Sequence, residues 1–291
     1  MRVVVPYAPG GSTDTVARST ADRLSRIWGQ QVVIENKPGA GTNIGAAAVA
    51  ISDPDGYTMF IGSSSLATSR LLYRSLPYAI SDLAPVTLVC AFPLLILAPN
   101  SSPAKSVGEF IAFARENKGK VTFASPGVGT VPHLAGELLK QQSGIEMTHV
   151  PYRGIGAAYP DVMSGKVQLA FSSIAGAVPF TADNRVRPIA TTGSARSPVY
   201  PDVPTVAESG LPGFDVDLWI GIYAPAGLPP AVRAKLNGEI NKVLQHPELK
   251  SAFAKIGIAP RGTTPEQAAA FTRSEYEKWK QVIVDGKIKP E

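Results

Sequence analysis

The sequence contains almost nothing that would form covalent or metal cross-links. Among its 291 residues there is one cysteine, Cys90, which excludes an intramolecular disulfide and a cysteine-based metal cluster. Cys90 lies in the apolar stretch 88–92, and this setting predicts a buried structural thiol rather than a nucleophile. No carboxylate-rich cluster suited to a divalent metal is visible, so we expect no metal site and no cofactor.

Long hydrophobic runs are also missing. The longest candidate, residues 88–98, is interrupted by Pro93 and followed by Pro99, so it is far shorter than the roughly 20 apolar residues that span a bilayer. A membrane-spanning helix is therefore not predicted.

The sequence has no long run of residues with the same charge. The formal net charge is +5, but lysine and arginine are mixed with aspartate and glutamate along the whole chain. This distribution argues against a nucleic-acid-binding arm and is compatible with a small anionic ligand.

The start of the chain has the pattern of a strand, a tight loop and a helix. The β-branched run at 3–5 leads into a proline- and glycine-rich loop at 6–11, and apolar residues at helical spacing follow over 16–28. The first turn of such a helix presents unpaired N–H groups and a positive dipole end, so the loop is a candidate anion site. The alternative is a simple turn in which Ser12 is an N-cap and Asp14 a favourable first-turn acid. The loop alone leaves both interpretations open.

This loop differs from the known nucleotide-binding loops. It lacks the Lys-Ser/Thr ending of a Walker A sequence, and it lacks the G-x-G-x-x-G pattern with a later acidic residue. A small carboxylate or phosphate is the ligand that it favours.

Strand and helix patterns then alternate along the chain, which predicts an α/β fold with parallel sheets covered by helices. The predicted strands are 3–5, 32–36, 57–62, 86–92, 94–98, 121–124, 147–152, 167–171, 186–192 and 216–224. Helices are predicted after the loop at 6–11, over 40–51, after Ser106, around His133, over 157–164, over 230–244, in a short segment after Pro247, and over 264–285.

Most of the predicted strands end in serine, threonine or glycine. Ser63, Ser64 and Ser65 follow the third strand, a Gly-rich loop at 125–130 resembles the opening loop in kind, and Ser172-Ser173 ends a later strand. Ligands bind at the carboxyl ends of strands in open α/β sheets, so these groups are candidates for ligand contacts. Loop-filling polar residues are the alternative.

The layout predicts two α/β lobes. Residues 1–98 and 220–291 would form one lobe and residues 99–219 the other, with two crossing segments acting as a hinge. Two glycine- and serine-lined helix N-termini would then face one cleft.

Six passages together resemble one family of receptors. In chain order they are 4–14, 125–134, 149–154, 161–165, 201–210 and 219–227. They are similar to the Bug-type receptors, the TctC-like solute-binding proteins of tripartite tricarboxylate transporters. The resemblance implies a type II periplasmic binding-protein fold that closes on a small carboxylate-bearing solute and delivers it to the permease subunits of a membrane transporter. It implies no enzymatic activity, no nucleic-acid partner and a monomer.

In such receptors the loop matching Tyr7–Asp14 and a facing loop of the second lobe hold a ligand carboxylate, partly through water. The predicted ligand-binding residues are Tyr7, Ala8, Pro9, Gly10, Gly11, Ser12, Asp14, Ser64, Ser65, Ser125, Gly127, Gly129, Thr130, His133, Arg153, Gly154, Ser173 and Trp219. We expect Arg153 at the rim of the site, or else solvated on a surface loop. His133, near a helix start, is expected to be neutral and hydrogen-bonded, either as a ligand contact or in a structural role.

Two other functions are weighed against transport. A serine hydrolase would use Ser125 or Ser64 with His133 or His149, but the chain has no G-x-S-x-G elbow and no H-E-x-x-H motif. A receptor that presents its solute to a signalling protein would keep the same fold and pocket. The sequence begins almost directly with a strand, so either the protein is cytoplasmic or an export signal is missing from it; the resemblance favours the periplasm.

Overall fold

The computed structural model describes residues 1–288 and contains two compact units. The first unit comprises residues 1–91 and 219–280, and the second comprises 92–218 and 281–288. The predicted lobe limits at 98/99 and 219/220 stay a prediction. The two compact units differ from them, because residues 92–98 and 281–288 belong to the second unit and Trp219 belongs to the first. We describe each unit by itself.

The first unit begins with strands that alternate with helices. Its first elements are β1 (Arg2–Val5), α1 (Ser12–Trp28), β2 (Val33–Asn36), α2 (Asn43–Ala50), β3 (Thr58–Ser63) and α3 (Ser64–Leu72), followed by β4 (Leu83–Pro99), which continues into the second unit. β1 lies between β2 and β3 and is parallel to both. The carboxyl ends of these three strands therefore share one edge of the sheet, as the sequence predicts.

Two predictions about this part of the chain are wrong. The runs 86–92 and 94–98 are not separate strands but parts of β4, because the fixed φ of Pro93 is compatible with extended backbone even though its ladder hydrogen bond is lost. The helix predicted over 40–51 begins only at Asn43, because residues 40–42 form a separate short turn with left-handed backbone at Ala40 and Thr42.

The second unit repeats the alternation. Its elements are α4 (Val107–Glu116), β5 (Thr122–Ser125), α5 (Val131–Ser143), β6 (Thr148–Pro151), α6 (Tyr159–Met163), β7 (Leu169–Ser173), α7 (Ile174–Ala182) and β8 (Val186–Thr191). β5 is parallel to β6 and β7, and the final part of β4 is antiparallel to β7 and β8. The sequence did not predict α3 or α7.

The chain returns to the first unit for its last elements. These are β9 (Asp217–Pro225), α8 (Pro230–Leu244), α9 (Pro247–Ala254), β10 (Ala259–Pro260) and α10 (Pro265–Asp285). The predicted limits of α8 are confirmed, and so is the capping box of α10, in which Thr264 Oγ1 accepts from the Gln267 N–H and Gln267 Oε1 from the Thr264 N–H. Among residues 1–288, no helix combines the length and apolar character that crossing a membrane requires.

The core of the first unit contains two buried tryptophans that share one carboxylate. Trp219 Nε1 and Trp279 Nε1 donate to the same Glu275 oxygen at 3.0 and 3.1 Å. Both indoles are fully buried, and Phe271 packs edge-on against Trp219. Cys90 is also fully buried, and burial raises the pKa of its thiol, which confirms the prediction of a structural residue.

Two helical glycines are expected to respond oppositely to alanine. A Cβ on Gly136 of α5 would collide with the buried ring of Phe123, so Gly136→Ala should destabilise the protein by about 1–3 kcal/mol through overpacking. A Cβ on Gly238 of α8 would meet no atom within 4 Å, so Gly238→Ala should stabilise it by about 0.5–1 kcal/mol. Urea unfolding of both variants checks this pair. Equal effects would mean that Gly136 is not closely packed.

Candidate functional site

The loop after β1 is exposed and accessible along its backbone. Ala8, Pro9, Gly10 and Gly11 are exposed, and neither glycine would bring a Cβ within 4 Å of another atom. Gly10 has a φ of +90°, which favours glycine, whereas Gly11 has an extended backbone and is the N-cap of α1. The loop therefore presents main chain at the positive end of a helix of 17 residues.

The Asp14 carboxylate holds this loop in shape. It accepts hydrogen bonds from the Gly10 N–H at 3.0 Å, from Arg18 Nε at 2.8 Å and from Asn36 Nδ2 at 2.8 Å. Asn36 Nδ2 also donates to the Tyr7 carbonyl at 3.0 Å. Asp14 thus positions the loop through the Gly10 N–H, and its predicted contact with a ligand stays a prediction.

Asp14 stays ionised in spite of its burial. Burial by itself would raise its pKa, but the hydrogen bonds from Arg18, Asn36 and Gly10, with the charge of Arg18, outweigh it and lower the pKa below the usual value. The Arg18 guanidinium pairs with this carboxylate at 2.8 Å and offsets part of its negative charge.

The hydroxyl of Tyr7 links the loop to the start of α3. It lies 2.5 Å from Ser63 Oγ and 3.3 Å from Ser65 Oγ. Burial raises the pKa of Tyr7, so the phenol is a neutral hydrogen-bonding group. Ser63 is the N-cap residue of α3, but its side chain makes no capping bond. Ser64 is 1% exposed and its Oγ has no hydrogen-bond partner.

The corresponding loop of the second unit is bonded largely to itself. Ser125 Oγ lies 2.7 Å from His149 Nε2 and accepts from the Gly127 N–H at 3.2 Å. Thr130 Oγ1 donates to the Gly127 carbonyl at 2.7 Å. The loop after β5 is therefore held by its own hydrogen bonds, and several of its predicted ligand donors already have partners in the second unit.

Two histidines stack beneath this loop. The rings of His133 and His149 lie 3.9 Å apart at their centroids, and His133 Nδ1 accepts from the Gly129 N–H at 3.0 Å. Burial, with the nearby charge of Lys140, lowers the pKa of His133 to about 4. The pKa of His149 is lowered to about 3, mainly by burial, and the nearby His133 and Lys140 contribute to this lowering. His133 is thus buried and hydrogen-bonded, as predicted, and its contact with a ligand stays a prediction.

This arrangement brings together Ser125 and His149, the pair considered for a hydrolase, but it does not suit one. Ser125 is fully buried, and an imidazole with a pKa of about 3 is a very weak general base at neutral pH. The contact between the two residues is better explained as part of the loop's internal hydrogen bonding.

The remaining predicted residues have separate surroundings. Arg153 is exposed in the loop after β6, and Gly154 beside it has a φ of +95°. Ser173 caps α7 by accepting from the Gly176 N–H at 3.2 Å. Trp219 lies in the core of the first unit with its N–H bonded to Glu275, and we leave it out of the proposed site.

The sequence did not single out Asn36, although it holds both Asp14 and the Tyr7 carbonyl. Its position at the carboxyl end of β2, next to β1, is the signal that would have pointed to it. In the described part of the chain, no three histidine, cysteine, aspartate or glutamate side chains group as metal ligands.

Comparison with known proteins assigns this chain to a family. Residues 16–287 match the model described as tripartite tricarboxylate transporter family receptor, TctC. The chain belongs to this family. Among its relatives is protein BugT of Bordetella pertussis, which is 36% identical over 97% of this chain and 88% of that protein.

Three solved structures that resemble this chain have the same fold. R. palustris Rpa4515 with adipate has a TM-score of 0.94 at 33% identity and covers 100% of this chain and 98% of its own. The periplasmic binding protein BugD has a TM-score of 0.90 at 31% identity, with 100% and 98% covered. MatC from Rhodopseudomonas palustris with bound malate has a TM-score of 0.87 at 34% identity, with 97% and 98% covered. The chain is thus a Bug-type solute-binding protein with the α/β fold of periplasmic binding proteins.

Proposed function

We propose that this protein binds a small organic acid by its carboxylate at the loop after β1. The observation that carries the proposal is the Asp14 network, which fixes an exposed, glycine-containing loop at the N-terminus of α1. A carboxylate that accepts hydrogen bonds there gains about 1.5–3 kcal/mol from each at best, and the helix end adds roughly 0.3–2 kcal/mol. The structures of the relatives with adipate and malate support a carboxylate as the ligand class.

We further propose that the bound acid is delivered to the membrane permease subunits of a tripartite transporter and that the protein works in the periplasm. Both parts rest on family membership. A binding role without catalysis is supported because Ser125 already hydrogen-bonds within its own loop and because His149 is a weak base.

A thermal-shift screen tests the binding proposal directly. A ligand at 100 times its dissociation constant should stabilise the protein by about 2.7 kcal/mol. We expect such a shift with at least one aliphatic mono- or dicarboxylate, and no shift with the matching amide or alcohol. If no acid in the panel raises the melting temperature while an uncharged compound does, the carboxylate proposal is wrong.

A further inference from the structure

The side-chain amide of Asn36 makes three hydrogen bonds inside the first unit. Asn36 is half-buried at the carboxyl end of β2, where it pairs in register with Val5, the last residue of β1. Its Nδ2 donates to the Tyr7 carbonyl at 3.0 Å and to Asp14 Oδ1 at 2.8 Å, and its Oδ1 accepts from Arg18 Nη2 at 2.8 Å. All three partners belong to the loop after β1 or to α1.

The partners of this amide fix its orientation. Arg18 can only donate, so the amide oxygen faces it, and the amide nitrogen is then directed at two acceptors, the Asp14 carboxylate and the Tyr7 carbonyl. Arg18 Nε also donates to Asp14 Oδ2 at 2.8 Å, which closes a ring of hydrogen bonds among the three side chains. An aspartate at position 36 would have nearly the same shape, but when ionised it would offer no donor to either acceptor.

The loop after β1 is consequently held on both sides of its exposed tip, residues 8–9. On one side, Asn36 holds the Tyr7 carbonyl. On the other side, Asp14 accepts from the Gly10 N–H at 3.0 Å. Asn36 therefore acts on both sides, directly at Tyr7 and, at Gly10, through its bond with the carboxylate.

A loop that is ordered before the ligand arrives favours binding for an entropic reason. Ordering backbone and side chains costs conformational entropy, and a loop that is disordered in the free protein loses that entropy when the ligand binds. A loop that the fold already orders does not. The bond from Asn36 to Tyr7 joins the ends of two neighbouring strands, so it orders the loop without any ligand.

We propose that Asn36 is a positioning residue of the β1 loop, which strengthens binding of the organic acid by holding the Tyr7 carbonyl and does not touch the ligand itself. The inference rests on the acid binding proposed for this loop and adds to it a residue from the neighbouring strand. Asp14 and Arg18 have a supporting part, because they orient the amide.

Asn36→Leu removes all three hydrogen bonds and keeps a side chain of similar size. Calorimetric titration with the tightest acid of the thermal-shift screen should show affinity lowered about tenfold or more, with a less favourable binding entropy, because the loop is then ordered on binding. Asn237→Leu is the matched control. Asn237 is a half-buried amide of α8 that donates to the carbonyls of Val86 and Thr263 at 2.8 and 2.7 Å. Its loss should lower the melting temperature and leave the affinity unchanged.

Amide hydrogen exchange of the ligand-free protein gives a second readout. The Gly10 N–H should exchange about tenfold faster in Asn36→Leu than in the wild type, because the loop opens more often once the Tyr7 carbonyl is released. Asn237→Leu should leave the exchange of Gly10 unchanged. A general loss of stability would not be confined to this loop.

Exchanging the residues at positions 14 and 36 separates the Tyr7 contact from the charges. Asn36→Asp alone places a second carboxylate beside Asp14 and leaves the Tyr7 carbonyl without a donor, so it should lower the melting temperature and reduce affinity about tenfold or more. Asp14→Asn combined with Asn36→Asp again places one amide and one carboxylate beside Arg18, so the melting temperature should recover. The Tyr7 carbonyl still lacks its donor, so affinity should stay about tenfold below that of the wild type.

The outcomes separate this inference from the proposed function. If no acid binds the wild-type protein, the proposed function fails and the inference fails with it. If acids bind and folded Asn36→Leu binds them as tightly as the wild type, the positioning role is overturned and the proposed function stands. Recovery of full affinity in the exchanged variant also overturns the role, because the charges and not the Tyr7 contact would then set the affinity. Should Asn36→Leu fail to fold, the exchanged variant decides.

Discussion

Gly11→Glu should weaken binding of the organic acid at least a hundredfold while the protein stays folded. The new side chain carries its carboxylate from the N-cap of α1, where the ligand carboxylate is expected. Two like charges about 4 Å apart repel by about 4 kcal/mol at an effective dielectric constant of 20, which exceeds the gain from a single hydrogen bond. Calorimetric titration with the tightest acid of the thermal-shift screen measures the loss.

The fold should tolerate this change, because Gly11 needs no special backbone conformation. Its φ is −78°, and a Cβ there would meet no atom within 4 Å. Gly11→Ala should accordingly bind almost normally and melt close to the wild type. Near-normal affinity of a folded Gly11→Glu variant would show that the anion does not bind at this helix end.

Acidification from pH 7 to pH 4 should cost the second unit several kcal/mol of stability. The pKa values of His133 and His149 are lowered from 6.5 to about 4 and about 3, so below pH 6.5 the unfolded chain binds protons that the folded unit does not. Stability therefore falls as the pH drops from 6.5 and levels off only below the folded-state values. His133 alone accounts for about 3 kcal/mol of this loss at pH 4.

Urea unfolding at a series of pH values measures this dependence. His133→Gln and His149→Gln should each lower stability at pH 7, because they remove buried contacts, but should flatten the decline between pH 6.5 and 4. The groups around the stacked rings are Ser125, Phe123, Lys140 and, at 3.9 Å from His133 Nε2, Glu137. A wild-type profile that is flat over this range would mean that the two imidazoles are hydrated rather than buried.

Much of the fold is readable in the sequence, because its signals are local. The periodicity and the Thr264 capping box predict α8 and α10, and the β-branched runs predict the parallel strands of both units. The two helices that the sequence did not predict, α3 and α7, follow their strands without a loop. Each begins with the residue directly after the last serine of its strand, and the sequence contains no separate turn that would mark the start of the helix.

The site was less predictable, because it depends on which polar groups are already paired. The sequence singles out the β1 loop, Asp14 and the serines after β3 as candidates, but it does not reveal that Asp14 accepts the Gly10 N–H or that Ser125 bonds Gly127. Such pairings join elements through the tertiary structure. These hydrogen-bond pairings decide whether a polar residue faces a ligand or supports its neighbours. The spacing of residues in the sequence does not predict them.

The two indoles that share Glu275 also make this protein convenient to follow spectroscopically. All three tryptophans, Trp28, Trp219 and Trp279, belong to the first unit. Tryptophan emission is thus a reporter of that unit alone, whereas circular dichroism of the backbone records both. An acid transition that appears in circular dichroism at a higher pH than in tryptophan emission would reveal the second unit melting by itself, without any label having to be introduced.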